Sequence, residues 1–337
     1  MRVLVTGGAG YIGSHTAKLL KQRGATPVVL DDLSSGHREF ARFGPLETGD
    51  IRDEALLLDV LKRHGIQAVI HFAAKAIVGE SLLQPEAYFS VNVGGTLSLL
   101  GAMRRAGVQR LVFSSSAAVY GGTDAGRIVE SHPLAPINPY GRSKLQGEQA
   151  IAAMGPAFGL RWAVLRYFNV IGADPAGELW ERHAPETHVL PNLLAAALTG
   201  REFSLFGDRF ATEDGTAVRD YVDVGDLALV HWEALQALDG REHLVSNVGT
   251  GRGISVRQLV GAVEKTLGRP VRVRVQPPRA GDPPRLVADN GHFLTWSSLG
   301  RDGFTPLSDS VRRAAQAMKP EPAEARQPGP APRGDAR

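Results

Sequence analysis

Tyr140 and Lys144 stand four residues apart in the run Asn138-Pro139-Tyr140-Gly141-Arg142-Ser143-Lys144. Asparagine followed by proline is a helix opening: the amide side chain caps the first turn, and proline has no N–H to leave unpaired there. On such a helix the phenol and the ammonium share a face. The chemistry they suit is proton transfer, because a tyrosine that titrates near pH ~10 becomes a base at neutral pH only where fixed positive charge stabilises its phenolate. A YxxxK spacing also arises by chance on surface helices, so the pair needs a third member. Ser114-Ser115-Ser116 closes a β-rich run, and a hydroxyl at that end of a strand can donate to an alcohol under oxidation and relay its proton. The catalytic candidates are therefore Ser116, Tyr140 and Lys144, with Ser114 placed beside the cofactor.

Oxidising an alcohol requires a hydride acceptor, and the N-terminus is arranged to hold one. Gly7, Gly10 and Gly13 lie between the first β-rich run and the first helical one, where backbone N–H groups and the helix dipole can meet a pyrophosphate. A tight strand-to-helix turn without a ligand would use the same glycines. Context argues for the ligand: Asp31 and Asp32 end the second strand about twenty residues further on, where a carboxylate bonds the adenosine ribose. A 2′-phosphate there would meet like charge, so NAD is expected rather than NADP, although Arg38 is a nearby cation that favours the latter. Asp50 and Ile51 follow the third strand, at a place suited to the adenine. His71-Phe72-Ala73-Ala74 closes the fourth with small residues beside the cofactor. Loop chemistry alone would also account for either segment.

These groups need a frame that brings them to one edge. Short β-rich runs at 3–6, 27–30, 68–72, 111–114 and 162–167 alternate with amphipathic stretches at 12–23, 54–64, 86–106 and 139–153. That order predicts an α/β, doubly wound parallel sheet of Rossmann type, whose ligand lies beyond the carboxyl ends of the strands. After Asn169 the alternation gives way to longer loops with helical stretches at 191–198, 224–238 and 256–267, the last opened by a capping box of Ser255 and Gln258. The expected organisation is a mainly NAD-binding domain over 1–168 and a smaller, mainly substrate-binding α+β domain over 169–318, some of whose strands and helices return to the first. A proline-rich, disordered tail is expected over 319–337.

Composition narrows the classes. With 38 Lys and Arg against 35 Asp and Glu the 337-residue chain carries +3, and its arginines are scattered, so nucleic-acid binding is not expected. It contains no cysteine, which removes disulfides, thiolate nucleophiles and Cys-based zinc sites. No metal is expected. Nor is there an apolar leader or a run of eighteen apolar residues, so the reading is a cytoplasmic protein without membrane contact.

Taken together, these residues resemble the extended short-chain dehydrogenase/reductases, and among them the UDP-glucose 4-epimerase family. The resemblance runs from Met1 to about Pro306. It is carried by VTGGAGYIGSH at 5–15, GDIRD at 49–53, VIHFAA at 69–74, VGES at 78–81, FSSSAAVYG at 113–121, NPYGRSK at 138–144, LRYFNVIGA at 165–173, TEDGTAVRDYVDV at 212–224 and PRAGDPP at 278–284. It implies NAD contacts from Tyr11, Ile12, Asp31, Asp50, Ile51, Phe72, Ala73, Asn92, Ser116, Tyr140, Lys144 and Phe168. It also implies UDP-sugar contacts from Ser116, Tyr140, Asn169, Arg219, Tyr221, Arg279, Asp282 and Leu286. Two arginines are what a diphosphate needs. The chain departs from the family in three places: Lys75 sits one position before the usual lysine, Thr187-His188 replace a paired asparagine, and Leu286 stands where tyrosine is frequent beside the sugar.

The implied activity is inversion at C4 of a UDP-hexose through a 4-keto intermediate, with UDP-galactose and UDP-glucose as the leading pair. The implied assembly is a homodimer packed through the helices near 86–106 and 139–153. The same scaffold serves UDP-N-acetylglucosamine 4-epimerases, and 4,6-dehydratases begin with the same oxidation. The latter need an acid and a base after the serine, where this chain has Ala117-Ala118. A non-catalytic NAD(H) sensor would have no use for an activated phenol.

Overall fold

The computed structural model describes residues 1–122, 126–279, 282–300 and 303–318; the tail expected over 319–337 lies outside them. Its strands are β1 (Arg2–Thr6), β2 (Thr26–Asp31), β3 (Leu46–Thr48), β4 (Ala68–His71), β5 (Arg110–Ser116), β6 (Arg161–Tyr167), β7 (Asn169–Ile171), β8 (Phe203–Phe206), β9 (Val218–Asp223), β10 (His243–Val248), β11 (Gly253–Ser255), β12 (Val273–Gln276) and β13 (Arg285–Leu286). The helices are α1 (Tyr11–Gln22), α2 (Glu54–Arg63), α3 (Val78–Leu83), α4 (Pro85–Tyr88), α5 (Gly95–Ala106), α6 (Pro139–Met154), α7 (Val189–Thr199), α8 (Val224–Ala237), α9 (Val256–Leu267) and α10 (Leu307–Ala317).

Seven strands form one parallel sheet in the order β10-β6-β5-β4-β1-β2-β3. The strand order reverses beside β1, which places the switch point of a doubly wound sheet at the carboxyl end of Thr6. Side chains alternate across the sheet. Val3 and Val5 enter a core with Leu20 of α1 and Leu227 and Val230 of α8, whereas Leu4 enters another with Leu57 of α2, Leu99 of α5 and Ile151 of α6. Both faces are thus covered, which is why β1 reads as an uninterrupted apolar run.

The smaller part holds a sheet of β7, β9, β11 and β13 and the pair β8 with β12. Leu190, Leu193, Leu259, Val263 and Val311 of α7, α9 and α10 form its core. The Ser255 capping box is present. The doubly wound sheet predicted from the sequence is the fold of the chain.

Two features were not legible. β10 pairs in register with β6, His243 to Val248 against Trp162 to Tyr167, yet its Ser246 and Asn247 make it look like a loop. Both are fully buried, with Asn247 accepting from the Tyr120 hydroxyl and Ser246 accepting from the Trp296 indole. The single helix expected over 86–106 is instead α4, a π-helical turn at Phe89–Gly94 and then α5. Such wide turns recur at functional sites, and this one carries Asn92. Among the described residues, no helix is long and apolar enough to cross a membrane.

Candidate active site

The glycine turn is built by close approach. Gly7 has φ +69°, and a Cβ there would lie 2.6 Å from the Ala73 nitrogen, while one on Gly13 would lie 2.3 Å from the Gly7 carbonyl. A Cβ on Gly10 would meet only the Gly7 oxygen, at 3.3 Å. Gly7 and Gly13 are therefore required by the fold itself, whereas Gly10 leaves space open at the N-terminus of α1. That helix has no acidic residue in its first turn and no side-chain cap, so no side chain satisfies its first amides and its dipole favours an anion there. Tyr11 donates its hydroxyl to the Gly172 carbonyl at 2.7 Å, and Ile12 and Phe72 pack at the edge of the core beneath the turn.

Asp31 is buried and accepts the backbone N–H groups of Ala9 and Leu33, both at 2.9 Å. It thereby fixes the glycine turn to the end of β2. Asp32 is exposed and caps its own loop through Ser34. Asp50 pairs with Arg52 at the surface, whereas Ile51 is buried against Gly95 in the core. Asn92 has both amide hydrogens engaged, by the Lys75 carbonyl and Ser143 Oγ, and accepts from the Lys75 N–H. It shapes the loop after β4, with Ala73 packed nearby. Lys75 itself pairs with Glu80 at 2.8 Å, and Arg38 reaches Thr48.

β5 and α6 bring the chemical groups together. Asn138 caps α6 as expected, accepting from Gly141 N–H at 2.8 Å. Tyr140 and Lys144 then lie on the buried face, against the end of β5. Burial pushes the Tyr140 phenol above its ordinary value, and its hydrogen bond with Ser116 pulls the other way. Lys144 donates to the Ser114 carbonyl at 2.8 Å and lies 5.2 Å from the centre of the Phe113 ring. Burial lowers its ammonium to about 8, opposed by the Glu148 carboxylate. Ser114 Oγ bonds the Tyr167 hydroxyl. A buried phenol with a serine on its oxygen and an ammonium on the same helix face can move a proton at that oxygen, once positive charge stabilises the phenolate.

Beneath this face lies a network that the sequence did not disclose. Glu148, one turn beyond Lys144, meets Arg166 of β6 through Nη2 at 2.6 Å and Nε at 3.0 Å, and also takes the Ser115 hydroxyl. Arg166 further donates to the Tyr120 hydroxyl at 3.0 Å. The legible signal was the four-residue step from Tyr140 to Lys144 to Glu148; the partner on β6 was not.

The residues assigned to the sugar come from the smaller sheet and its loops. Phe168 and Asn169 join β6 to β7, and Asn169 is in register with Tyr221 of β9. Tyr221 is buried, its phenol pushed up to about 12 by burial. Arg219 is buried and pairs with Asp282 at 2.9 Å, so two residues expected to hold different parts of one ligand hold each other here. Arg279 is exposed, its guanidinium 4.1 Å from the centre of the Phe206 ring. Leu286 sits beside Arg219 in the strand register and packs against the cluster that contains Phe168 and Ala117. Apart from these groups, Glu181, His183, Glu186 and His188 form a separate cluster in the loop before α7. Their Glu-x-His-x-x-Glu-x-His spacing was visible in the sequence.

Residues 3–249 match the profile of the NAD dependent epimerase/dehydratase family. The UDP-glucose 4-epimerase of Rhizobium meliloti (strain 1021) is 50% identical over 290 residues, covering 86% of this chain and 88% of that protein. The crystal structure of UDP-glucose 4-epimerase from Brucella ovis in complex with NAD superposes with a TM-score of 0.88 at 46% identity, covering 94% of this chain and 97% of that one. The enzyme of the same name from Stenotrophomonas maltophila, with bound NAD and formylated UDP-arabinopyranose, gives a TM-score of 0.90 at 40% identity over the same shares.

Proposed function

The chain belongs to the NAD dependent epimerase/dehydratase family, and from that premise we propose that it carries UDP-glucose 4-epimerase activity, interconverting UDP-galactose and UDP-glucose with NAD as cofactor. The observation that carries this reading is the meeting of Ser116 with Tyr140, and of Ser114 with Lys144, at the carboxyl edge of the sheet next to the glycine turn. Similarity to NAD-bound and UDP-sugar-bound relatives supports it.

The residues present fit the cofactor. Gly10 leaves the surface open where a pyrophosphate would lie, and Asp31 presents a carboxylate beside the turn. NAD bound there would supply the hydride acceptor and donor that inversion at C4 requires. Tyr140 takes the proton of the 4′-hydroxyl and later gives it back, with Ser116 bridging the two oxygens. Lys144 supplies positive charge from the same helix face. In this reading Arg219 and Arg279 take the diphosphate, Asp282 a ribose hydroxyl, and Asn169, Tyr221 and Leu286 line the sugar's surroundings. Residues 1–168 mainly serve the cofactor and 169–318 the UDP-sugar. Cytoplasmic placement belongs to the same proposal, as does a homodimer, favoured by Leu82, Leu83 and Leu97 lying exposed on α3 and α5.

Purified protein incubated with UDP-galactose, without added NAD, is expected to yield UDP-glucose until both sugars are present at equilibrium. A product that had lost water would instead mark a dehydratase. That outcome conflicts with Ala117, which is buried and apolar at the position where elimination needs an acid. An unchanged substrate, with NAD both present and absent, would remove the reading altogether. Conversion of UDP-N-acetylglucosamine is the second reading, favoured by Leu286 in place of a larger tyrosine.

A further inference from the structure

Glu181, His183, Glu186 and His188 take no part in the chemistry above, yet one ligand atom from each lies within 4.8 Å of all the others. His188 Nδ1 is 3.1 Å from Glu181 Oε1 and 3.3 Å from Glu186 Oε1. His183 Nδ1 is 3.8 Å from Glu181 Oε1 and 3.6 Å from Glu186 Oε2. A tetrahedral zinc ion with bonds of about 2.0–2.1 Å keeps its donors about 3.3–3.4 Å apart. The two imidazole distances from Glu181 Oε1 bracket that edge, while Glu186 turns one carboxylate oxygen to His188 and the other to His183.

Hydrogen bonding alone leaves the cluster unexplained. His183 Nδ1 is buried without a hydrogen-bond partner, and its separations from the two carboxylates are too long for one. The Glu181 side chain is only 8% exposed and shares the site with Glu186, a pairing of like charges that burial makes costly. A cation at the centre would accept the imidazole lone pair and neutralise both carboxylates at once.

The surroundings hold the donors in place. Glu186 accepts the backbone N–H groups of Thr187 and His188, both at 2.9 Å, and Asn192 of α7 donates to the His188 carbonyl at 2.9 Å. Outer contacts of this kind orient metal ligands. On its other side the loop is tied to the turn Arg38–Ala41 that follows β2, where Arg182 pairs with Glu39.

We propose that Glu181, His183, Glu186 and His188 bind one zinc ion, which fastens the loop before α7 between the dinucleotide-binding sheet and the smaller part. Two imidazoles and two carboxylates without thiolate suit zinc or another late first-row divalent ion. Four protein donors close the coordination sphere, so the role is structural.

The test uses untagged full-length protein, stripped with chelator and desalted. Calorimetric titration with zinc sulfate should give one equivalent per chain and raise the melting temperature. Cobalt(II) should produce the intense visible absorption of tetrahedral coordination, which zinc then abolishes. His183→Gln and His188→Gln should each weaken zinc binding by about tenfold or more. Stoichiometry well below one, a pale octahedral cobalt spectrum, or unchanged affinity in a cooperatively melting His183→Gln/His188→Gln variant would overturn the site. If the variants fail to fold, the parent's stoichiometry and cobalt spectrum decide the matter.

Discussion

On the side formed by β5 and α6, Ser116, Tyr140 and Lys144 are carried by the regular backbone of one strand and one helix, above a buried ion pair of Glu148 and Arg166. On the opposite side, Arg219 and Leu286 come from β9 and β13 and Arg279 and Asp282 from the loop between β12 and β13, and two of their charges neutralise each other. The first region fixes geometry before any ligand arrives. In the second, Asp282 already occupies Arg219, so a diphosphate taken up there as proposed would have to displace it and exchange partners. Proton transfer needs the first arrangement, because small displacements of a catalytic oxygen are costly. Holding a large anionic ligand tolerates the second.

The sharpest way to break this contrast is Tyr140→Phe. It should leave folding and NAD retention intact and lower kcat by about 10² to 10⁴-fold, the usual worth of a general acid–base group. Near-normal turnover in that variant would mean the base lies elsewhere. Next in size is Arg166→Met, which leaves Glu148 buried and unpaired and should cost about 3–5 kcal/mol in urea unfolding. Adding Glu148→Met should recover much of that loss. A double variant as unstable as the single one would show that the pair does not act as a unit.

On the opposite side, Arg219→Gln should raise the Kd for UDP by about ten- to a hundredfold, as a charge-assisted bond is worth about 1.5–3 kcal/mol, while changing stability far less than Arg166→Met. Equal affinity for UDP would remove Arg219 from the diphosphate site. A smaller effect separates the regions by pH. Lys144 titrates at about 8 when folded and in the ordinary lysine range when unfolded, so between these values the unfolded chain binds the extra proton and stability rises with pH. The slope is at most about 1.4 kcal/mol per pH unit. It should appear from pH 8 upward in parent minus Lys144→Met, until unfolded-state tyrosines ionise near pH ~10. No difference between the two curves would contradict the buried ammonium. The smallest effect expected is that of Leu286→Tyr. Narrowing the space beside Arg219 should lower kcat/KM for UDP-N-acetylglucosamine relative to UDP-galactose by about tenfold, in line with discrimination by pocket volume. An unchanged ratio would show that Leu286 does not gate the sugar.

Much of the first region could be read directly. Gly7, Gly10 and Gly13 between a strand and a helix, Asp31 at the end of β2, and Asn138-Pro139 before Tyr140 are local signals, each tied to one backbone event. Asn92 shows where that reading stops. Its amide is engaged with Lys75 and Ser143 in a π turn, and nothing in the run 86–106 marks the extra residue that widens the helix there. β10 was missed because its Ser246 and Asn247 find partners in Tyr120 and Trp296, residues far away in the chain.

Sequence by itself determined the alternation of strands and helices, the glycine turn, and the shared face of Tyr140 and Lys144, because each follows from repeat geometry over a few residues. Tertiary structure alone decided that β10 closes the sheet, that Arg166 answers Glu148, and that Arg219 meets Asp282. Those outcomes depend on which distant groups burial forces to share a charge or a hydrogen bond, and no local spacing encodes that choice.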